Sequence, residues 1–335
     1  MMEISQTMLI DHFGRAITYL RISITDRCNL RCAYCQPATG LSWIPDDHLL
    51  NKDDFVHLAQ AAASLGITKV RITGGEPLVH PDILEIVERI GAIPEIDDLS
   101  LTSNAILLHK LAEPLAAAGL KRVNISMDTL DPDKYRRVTR FGDFNQAWKG
   151  ILAAEKAGLS PLKLNTVVVG GFNDDEIPTL ARLSIDHPWH IRFIELMPVA
   201  NEQDWGDGLP PVDKRYVSVQ TMHEKLADLS LEPEATSANS GPERMFRIPG
   251  APGTVGFISP LGEHFCARCN RLRLTADGRL RSCLLVNKEI SIFDAIKSGD
   301  DLEAFLKKAV EEKPRGHELH DHNCPDSRCM SQIGG

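Results

Sequence analysis

The sequence has no apolar run approaching the roughly 20 residues that a membrane-spanning helix needs. It also has no basic excess: 37 Lys and Arg against 46 Asp and Glu leave a net charge of −9. That balance speaks against broad, sequence-independent binding to nucleic acid, which requires a basic footprint. It leaves room for an anionic small molecule held in a local basic pocket. The opening stretch, MMEISQTMLIDHFGRAITYL, lacks the charged, then apolar, then small-residue order of a secretory signal, and is too acidic for a transit peptide. The expected location is therefore the cytoplasm, with neither membrane nor nucleic acid as partner. No internal repeat with a period of roughly 20–50 residues is visible.

What the chain does have is 8 cysteines, and in a reducing compartment clustered thiols point to metal or redox chemistry, not disulfides. Cys28, Cys32 and Cys35 form C-x3-C-x2-C, and Cys266, Cys269 and Cys283 form C-x2-C-x13-C. A [4Fe–4S] cluster normally takes four protein thiolates. Three leave one iron without a protein ligand, and an open metal position is where chemistry takes place. Two such triplets therefore point to two [4Fe–4S] clusters, each free to bind a small molecule. Zinc is the competing reading, since it takes four ligands in a structural site or three plus water in a catalytic one. No histidine near the first triplet makes a tidy fourth ligand. For the second triplet alone, a structural zinc ribbon with exposed arginines remains open.

With 335 residues, 43% hydrophobic and 25% charged, the chain suits a large soluble domain plus a smaller one. From about residue 16 to 200, β-type runs (ITYLRISIT, KVRIT, DLSLTS, RVNISMD, LKLNTVVV, HIRFIEL) alternate with helical stretches such as DFVHLAQAAASLG and DILEIVERIG. The expected fold is α/β: an incomplete (β/α)6 TIM-type barrel over residues 1–229, with a smaller C-terminal domain over 230–335 that carries the second cluster. A doubly wound open sheet is the alternative. Strand alternation puts Arg21, Ser23 and Thr25 on one face with Ile22 and Ile24 on the other, and the same split recurs in the next four strands. It gathers Arg21, Ser23 and Thr25 with Arg71, Thr73, Ser100, Thr102, Asn104, Asn124, Ser126, Asp128, Lys163 and Asn165 into a polar lumen fit for a charged ligand, unless these positions merely meet water at strand ends.

Residues 230–245 read as a loop. Beyond them MFRIP, GTVGFISP, RLRLT and GRLRSCL read as short antiparallel strands, followed by one final helix over SIFDAIKSGDDLEAFLKKAVEEK. Asp277-Gly278 is expected to make a two-residue hairpin turn. That register sets Cys283 opposite Leu272, between Arg271 and Arg273, and so near Cys269.

One strand after the first cysteine loop comes Gly74-Gly75-Glu76-Pro77, whose glycines would let backbone approach a ligand closely. Together, CNLRCAYC and this GGEP resemble the radical S-adenosylmethionine (SAM) superfamily. The segment from Cys266 to Arg273, CARCNRLR, and the closing Gly334-Gly335 make the chain similar, over most of its length, to the GTP 3′,8-cyclase family of molybdenum cofactor biosynthesis.

The resemblance implies SAM on the open iron of the first cluster, near Tyr34, Gly75, Glu76, Ser126 and Met197. It implies GTP as substrate, bound by Arg21, Arg71, Thr102, Lys163, Arg271, Leu272 and Arg273, with Arg21, Arg271 and Arg273 catalytic. It implies a 5′-deoxyadenosyl radical that takes hydrogen from C3′ of the ribose, followed by C3′–C8 bond formation. An external electron donor, a homodimer, and cyclic pyranopterin monophosphate synthase as the downstream enzyme belong to the same picture. In the family the terminal diglycine reaches the active site, whereas sequence alone favours a frayed tail. The run His317, His320, His322, Cys324 and Cys329 departs from what the family requires, matches no standard metal spacing and reads as a solvated tail.

Overall fold

The structure, a computed structural model, describes residues 8–198, 205–235, 241–262, 265–317 and 328–334. All six β-type runs of the first 200 residues become strands: β1 (Tyr19–Ser23), β2 (Lys69–Thr73), β3 (Asp98–Ser103), β4 (Arg122–Ser126), β5 (Lys163–Val168) and β6 (His190–Glu195). Later come β7 (Glu232–Pro233), β8 (Arg244–Arg247), β9 (Thr254–Ile258), β10 (Arg271–Leu274), β11 (Arg279–Arg281) and β12 (Ile290–Ser291). The helices are α1 (Lys52–Ser64), α2 (Ile83–Gly91), α3 (Leu108–Ala117), α4 (Pro132–Thr139), α5 (Phe144–Lys156), α6 (Ile177–Asp186), α7 (Val219–Glu224), α8 (Phe293–Ser298) and α9 (Leu302–Glu311).

Strands β1 to β6 lie side by side in chain order, every neighbouring pair parallel. The later strands extend both edges of the same sheet. β10 pairs parallel with β1, and β9 pairs parallel with β6. The expectation of antiparallel strands beyond residue 245 is thus half right. β10–β11, β11–β12, β7–β8 and β8–β9 are antiparallel, but β9 and β10 each use their other edge to join the parallel unit. Two further corrections concern this region: β7 and the start of β8 fall within the stretch read as a loop, and the single last helix divides at Gly299 into α8 and α9.

The layering follows from alternation along each strand. Ile22, Val70, Ile72, Leu99, Leu101, Val123, Ile125 and Leu164 are fully buried or nearly so on the helix-facing side. They pack with α1 residues Phe55, Leu58 and Ala59 and α2 residues Ile86, Val87 and Ile90, each large side chain contributing roughly 1.5–3 kcal/mol by burial. Local signals start the helices. The Asn51 side chain accepts from the amides of Asp53 and Asp54 while the Asp54 carboxylate accepts from the Asn51 amide, a reciprocal cap that begins α1 directly after the β1 loop. With the apolar face sealed, the opposite face is left to build a cavity.

Candidate functional site

The first cysteine triplet sits in the loop after β1, and neighbouring backbone fixes its shape. The Cys35 amide donates to the Cys32 carbonyl at 2.9 Å, and the Ala33 amide to the Val138 carbonyl at 2.8 Å. From the other side, the amides of Gly75 and Glu76 donate to the carbonyls of Thr25 and Arg27, each at 2.8 Å. A Cβ on Gly75 would stand 2.3 Å from the Arg27 oxygen, and one on Gly74 would stand 2.6 Å from the Thr25 oxygen. Gly74 and Gly75 thus permit close approach to the cysteine loop itself, so GGEP is a clamp on that loop, and both glycines also line the cavity described below.

Glu76 completes the clamp. Its carboxylate accepts from the Leu78 amide at 3.1 Å, the Ser103 hydroxyl at 2.9 Å and the Asn104 amide at 2.7 Å, tying the turns after β2 and β3 together. Burial nevertheless raises its pKa to about 7. Tyr34, in the same loop, donates its hydroxyl to Asp128 at 2.7 Å.

Burial pushes the Cys28 and Cys35 thiols up to about 12 and Cys32 well above its ordinary value, with Cys35 next in raising Cys32 and Cys28 next in raising Cys35. Three such thiols in one enclosed loop ionise readily only when a metal draws off their protons, which fits a bound cluster. Among the described residues no group of His, Cys, Asp or Glu is arranged to hold one metal ion. A cubane differs in that each iron takes its own thiolate, so the sulfurs need not converge on a point.

The second triplet is built on the β10–β11 hairpin. Cys266 opens a short 3-10 turn that ends at Cys269, whose amide donates to the Cys266 carbonyl at 3.1 Å. The hairpin register differs from the sequence expectation. Arg273 pairs with Arg281 and Leu274 with Leu280, and Ala276, Asp277 and Gly278 form a three-residue loop with Gly278 at φ +71°. The Thr275 side chain accounts for the extra residue, because it accepts from the Arg279 amide and donates to Asp277 across the loop. Carried on in this register, Cys283 would fall opposite Arg271, not Leu272. Burial raises Cys283; it also raises Cys269, but there Lys313 and Arg271 outweigh it and the thiol ends lower than usual.

Both triplets open on a single cavity of about 610 Å³. The cavity is lined by all six of these cysteines and by Tyr34, Gly75, Glu76, Ser126, Met197, Arg21, Arg71, Thr102, Lys163, Arg271 and Arg273. Of the expected site residues only Leu272 stands apart. Its side chain is wholly buried in the apolar layer, paired with Leu20 across the β1–β10 ladder.

The polar strand face is more cationic than expected, and part of it is closed off: Ser23, Thr25, Ser100 and Asn124 are buried and do not line the cavity. Lys69, Arg122, His190 and Arg192 join the lining, with Asp98, Glu195, Glu234 and Glu243 as further acidic members. Asp98 is taken by Arg122 through two short hydrogen bonds. Glu243 lies 3.4 Å from both Lys163 and Arg192, and these cations outweigh its burial to hold it well below the carboxylate range. Burial, reinforced by neighbouring arginines, lowers Arg21 markedly and brings Arg273 to about 10; Arg71, also buried, falls to about 10. So much buried positive charge favours a polyanion. Arg192 was within reach of sequence reasoning, because alternation along HIRFIEL puts it on the same face as His190. Glu243, on irregular backbone, carried no such signal.

The tail also enters the site. Met330 and Ser331 line the cavity, and Gly334 packs against Ser23 and Thr73. His317 lines the cavity too, its Nε2 2.6 Å from the Pro260 carbonyl oxygen. Cys329 is half-buried beside this segment, while His320, His322, Cys324 and Gly335 lie outside the described residues.

Comparison with known proteins agrees with this geometry. A family described as the radical SAM superfamily matches residues 22–184, and one described as Molybdenum Cofactor Synthesis C matches residues 189–319. The chain is 47% identical over 328 residues to the GTP 3′,8-cyclase of Moorella thermoacetica, covering 97% of this chain and 99% of that protein. It is 48% identical over 333 residues to the GTP 3′,8-cyclase of Heliobacterium modesticaldum, covering 98% and 100%. Among solved structures, Streptococcus suis SuiB bound to S-adenosylmethionine superposes with a TM-score of 0.59 at 17% identity, over 88% of this chain and 69% of that one, a likeness of fold alone.

Proposed function

The chain belongs to the radical SAM superfamily and, within it, to the GTP 3′,8-cyclases; it is a lyase acting on GTP, and we propose how its residues divide the work. The reaction is cyclisation of GTP to (8S)-3′,8-cyclo-7,8-dihydroguanosine 5′-triphosphate, the first step of molybdenum cofactor biosynthesis. The observation that carries the residue assignment is the meeting of two cysteine triplets on one cationic cavity.

In this reading Cys28, Cys32 and Cys35 hold a [4Fe–4S] cluster, and Tyr34, Gly75, Glu76, Ser126 and Met197 form the SAM site beside it. Cys266, Cys269 and Cys283 hold a second [4Fe–4S] cluster on the same cavity. When bound, the first cluster and SAM supply the one-electron chemistry that removes hydrogen from the GTP ribose.

The protein's part is binding, orientation and exclusion of water. Arg71 and Lys163 neutralise the triphosphate, with Thr102 as a neutral donor beside them. Arg21, Arg271 and Arg273 face the reacting end as catalytic residues, and Leu272 contributes backbone only. Each charge-assisted contact is worth roughly 1.5–3 kcal/mol, so a few of them hold the substrate firmly. Charge already buried in the wall is fixed in place before substrate arrives, which removes reorganisation from the reaction.

The chain-order succession of parallel strands β1 to β6 supports an incomplete TIM-type barrel for residues 1–229, because a doubly wound sheet would reverse its order part-way. Residues 230–335 form the accessory domain of this reading. A cytoplasmic homodimer served by an external electron donor, passing product to cyclic pyranopterin monophosphate synthase, completes it. No described helix is long and apolar enough to cross a membrane.

The deciding experiment is anaerobic reconstitution followed by assay with SAM, reductant and a panel of nucleotides. 5′-Deoxyadenosine formation coupled to consumption of GTP is expected. Coupling to ATP or to a peptide in place of GTP would overturn the substrate, and zinc without acid-labile sulfide would overturn the cluster assignment.

A further inference from the structure

Lys313 is a buried cation to which the reading above gives no role. It follows α9 and is 4% exposed. Its ammonium donates to the carbonyl of Arg271 at 2.8 Å and to the carbonyl of Ser282 at 2.5 Å. Arg271 lies two residues after Cys269, and Ser282 immediately precedes Cys283. One side chain therefore straps together the two arms of the hairpin that carry these cysteines.

Its location singles out the sulfurs as its partners. Burying an ammonium carries a large desolvation penalty unless an anion accompanies it. Among the described residues no carboxylate pairs with Lys313, and the two carbonyls it holds belong to Ser282, directly before Cys283, and Arg271, two residues after Cys269. Arg271 and Arg273 also act on these sulfurs from the cavity side, whereas Arg15 is already matched. It pairs with Asp11 at 2.5 Å and donates to the carbonyls of Cys266 at 2.8 Å and Pro314 at 2.6 Å.

We propose that Lys313 is a positioning residue for the second cluster, the fixed countercharge for the Cys269 and Cys283 thiolates as well as the clasp that holds their two strands. This rests on the assignment of a second cluster. Charge and hydrogen bonds around the sulfurs set both the retention and the potential of such a centre.

The test uses anaerobically reconstituted full-length protein as wild type, Lys313→Met, Lys313→Gln and Lys313→Arg. Iron and sulfide content and the rate of iron release to a chelator are read directly. The midpoint potential of the second cluster is read by EPR in a chain that also carries Cys28→Ala, Cys32→Ala and Cys35→Ala. Wild type is expected to hold about eight irons. The Met and Gln variants are expected to fall to about four, or to keep the second cluster at a lower potential with iron release about tenfold faster or more. Lys313→Arg keeps the charge and is expected to keep both clusters.

Unchanged iron, release rate and potential in the Met and Gln variants would overturn the proposal while leaving the second cluster standing. So would a Gln variant indistinguishable from wild type beside a damaged Met variant, which would reduce the lysine to a carbonyl clasp. If Met and Gln variants fail to fold, Lys313→Arg decides, and loss of its second cluster counts against the proposal. A wild type holding only about four irons would sink the second-cluster assignment and this inference with it.

Discussion

Arg273 Nη1 donates to the Gly334 carbonyl at 2.9 Å, joining β10 to the chain's penultimate residue. Ile333, just before it, is buried, and Gly334 adopts φ +68°. Met330 and Ser331 make the tail a wall of the site, and the residue that holds its end is one proposed above as catalytic.

Gly334→Ala is expected to damage the enzyme out of proportion to one methyl group. The new Cβ would lie 2.4 Å from Thr73 Oγ1, on a backbone conformation that costs a non-glycine residue roughly 1–3 kcal/mol. Turnover of GTP should fall about tenfold or more, while iron content stays at the wild-type value. A variant with normal turnover would remove the tail from the site.

Arg271→Ala and Arg273→Ala should each lower kcat/KM for GTP by roughly 10- to 150-fold, the equivalent of one charge-assisted contact of about 1.5–3 kcal/mol. Iron content and SAM binding should be unaffected. Loss of iron from either variant would instead make these arginines structural.

With Lys163 as a GTP contact, binding is expected to depend on pH. Burial, and after it Arg192, lower its pKa to about 8, against the partial support of Glu243. A bound triphosphate would raise that value, so binding takes up a proton wherever the empty site holds a neutral lysine. Affinity should therefore be flat below about pH 7 and weaken above about pH 8, by up to about tenfold per pH unit. Calorimetric titration of GTP into the protein checks this, and Lys163→Met should flatten the profile.

Arg328 anchors the tail from outside the cavity. It grips Asp277 at 2.7 and 3.2 Å and Glu289 at 2.9 and 3.0 Å, and all three side chains are largely shielded. Arg328→Ala should weaken the tail's attachment by roughly 1.5–3 kcal/mol. Faster proteolytic clipping after residue 317 and a smaller loss of turnover than Gly334→Ala are the expected readouts. Unaltered clipping would show that Ile333 and Arg273 suffice.

Much of this site is legible without coordinates because it rests on local periodicities. Arg21, Arg71, Thr102, Ser126 and Lys163 follow from alternation along five strands, and they line one cavity in the structure. Arg192 obeys the same rule on β6. The hairpin shows where the rule fails. Asp277-Gly278 is a sound turn signal, yet the Thr275 hydroxyl bonds across the loop and shifts the pairing by one residue, which no dipeptide preference encodes.

The sequence by itself determined the chemistry: six thiols in two triplets, a GGEP turn, and strand faces that alternate charge with apolar bulk. These are properties of residues close together along the chain. Only the tertiary structure decided that β10 joins β1 in parallel and so brings Arg273 level with Arg21. The same is true of GGEP gripping the cysteine loop, Lys313 reaching both arms of the hairpin, and Gly334 returning to Ser23 and Thr73. Each of these unites residues far apart in the chain, and what selects it is the burial of apolar faces together with the pairing of buried charge, neither of which any single segment carries.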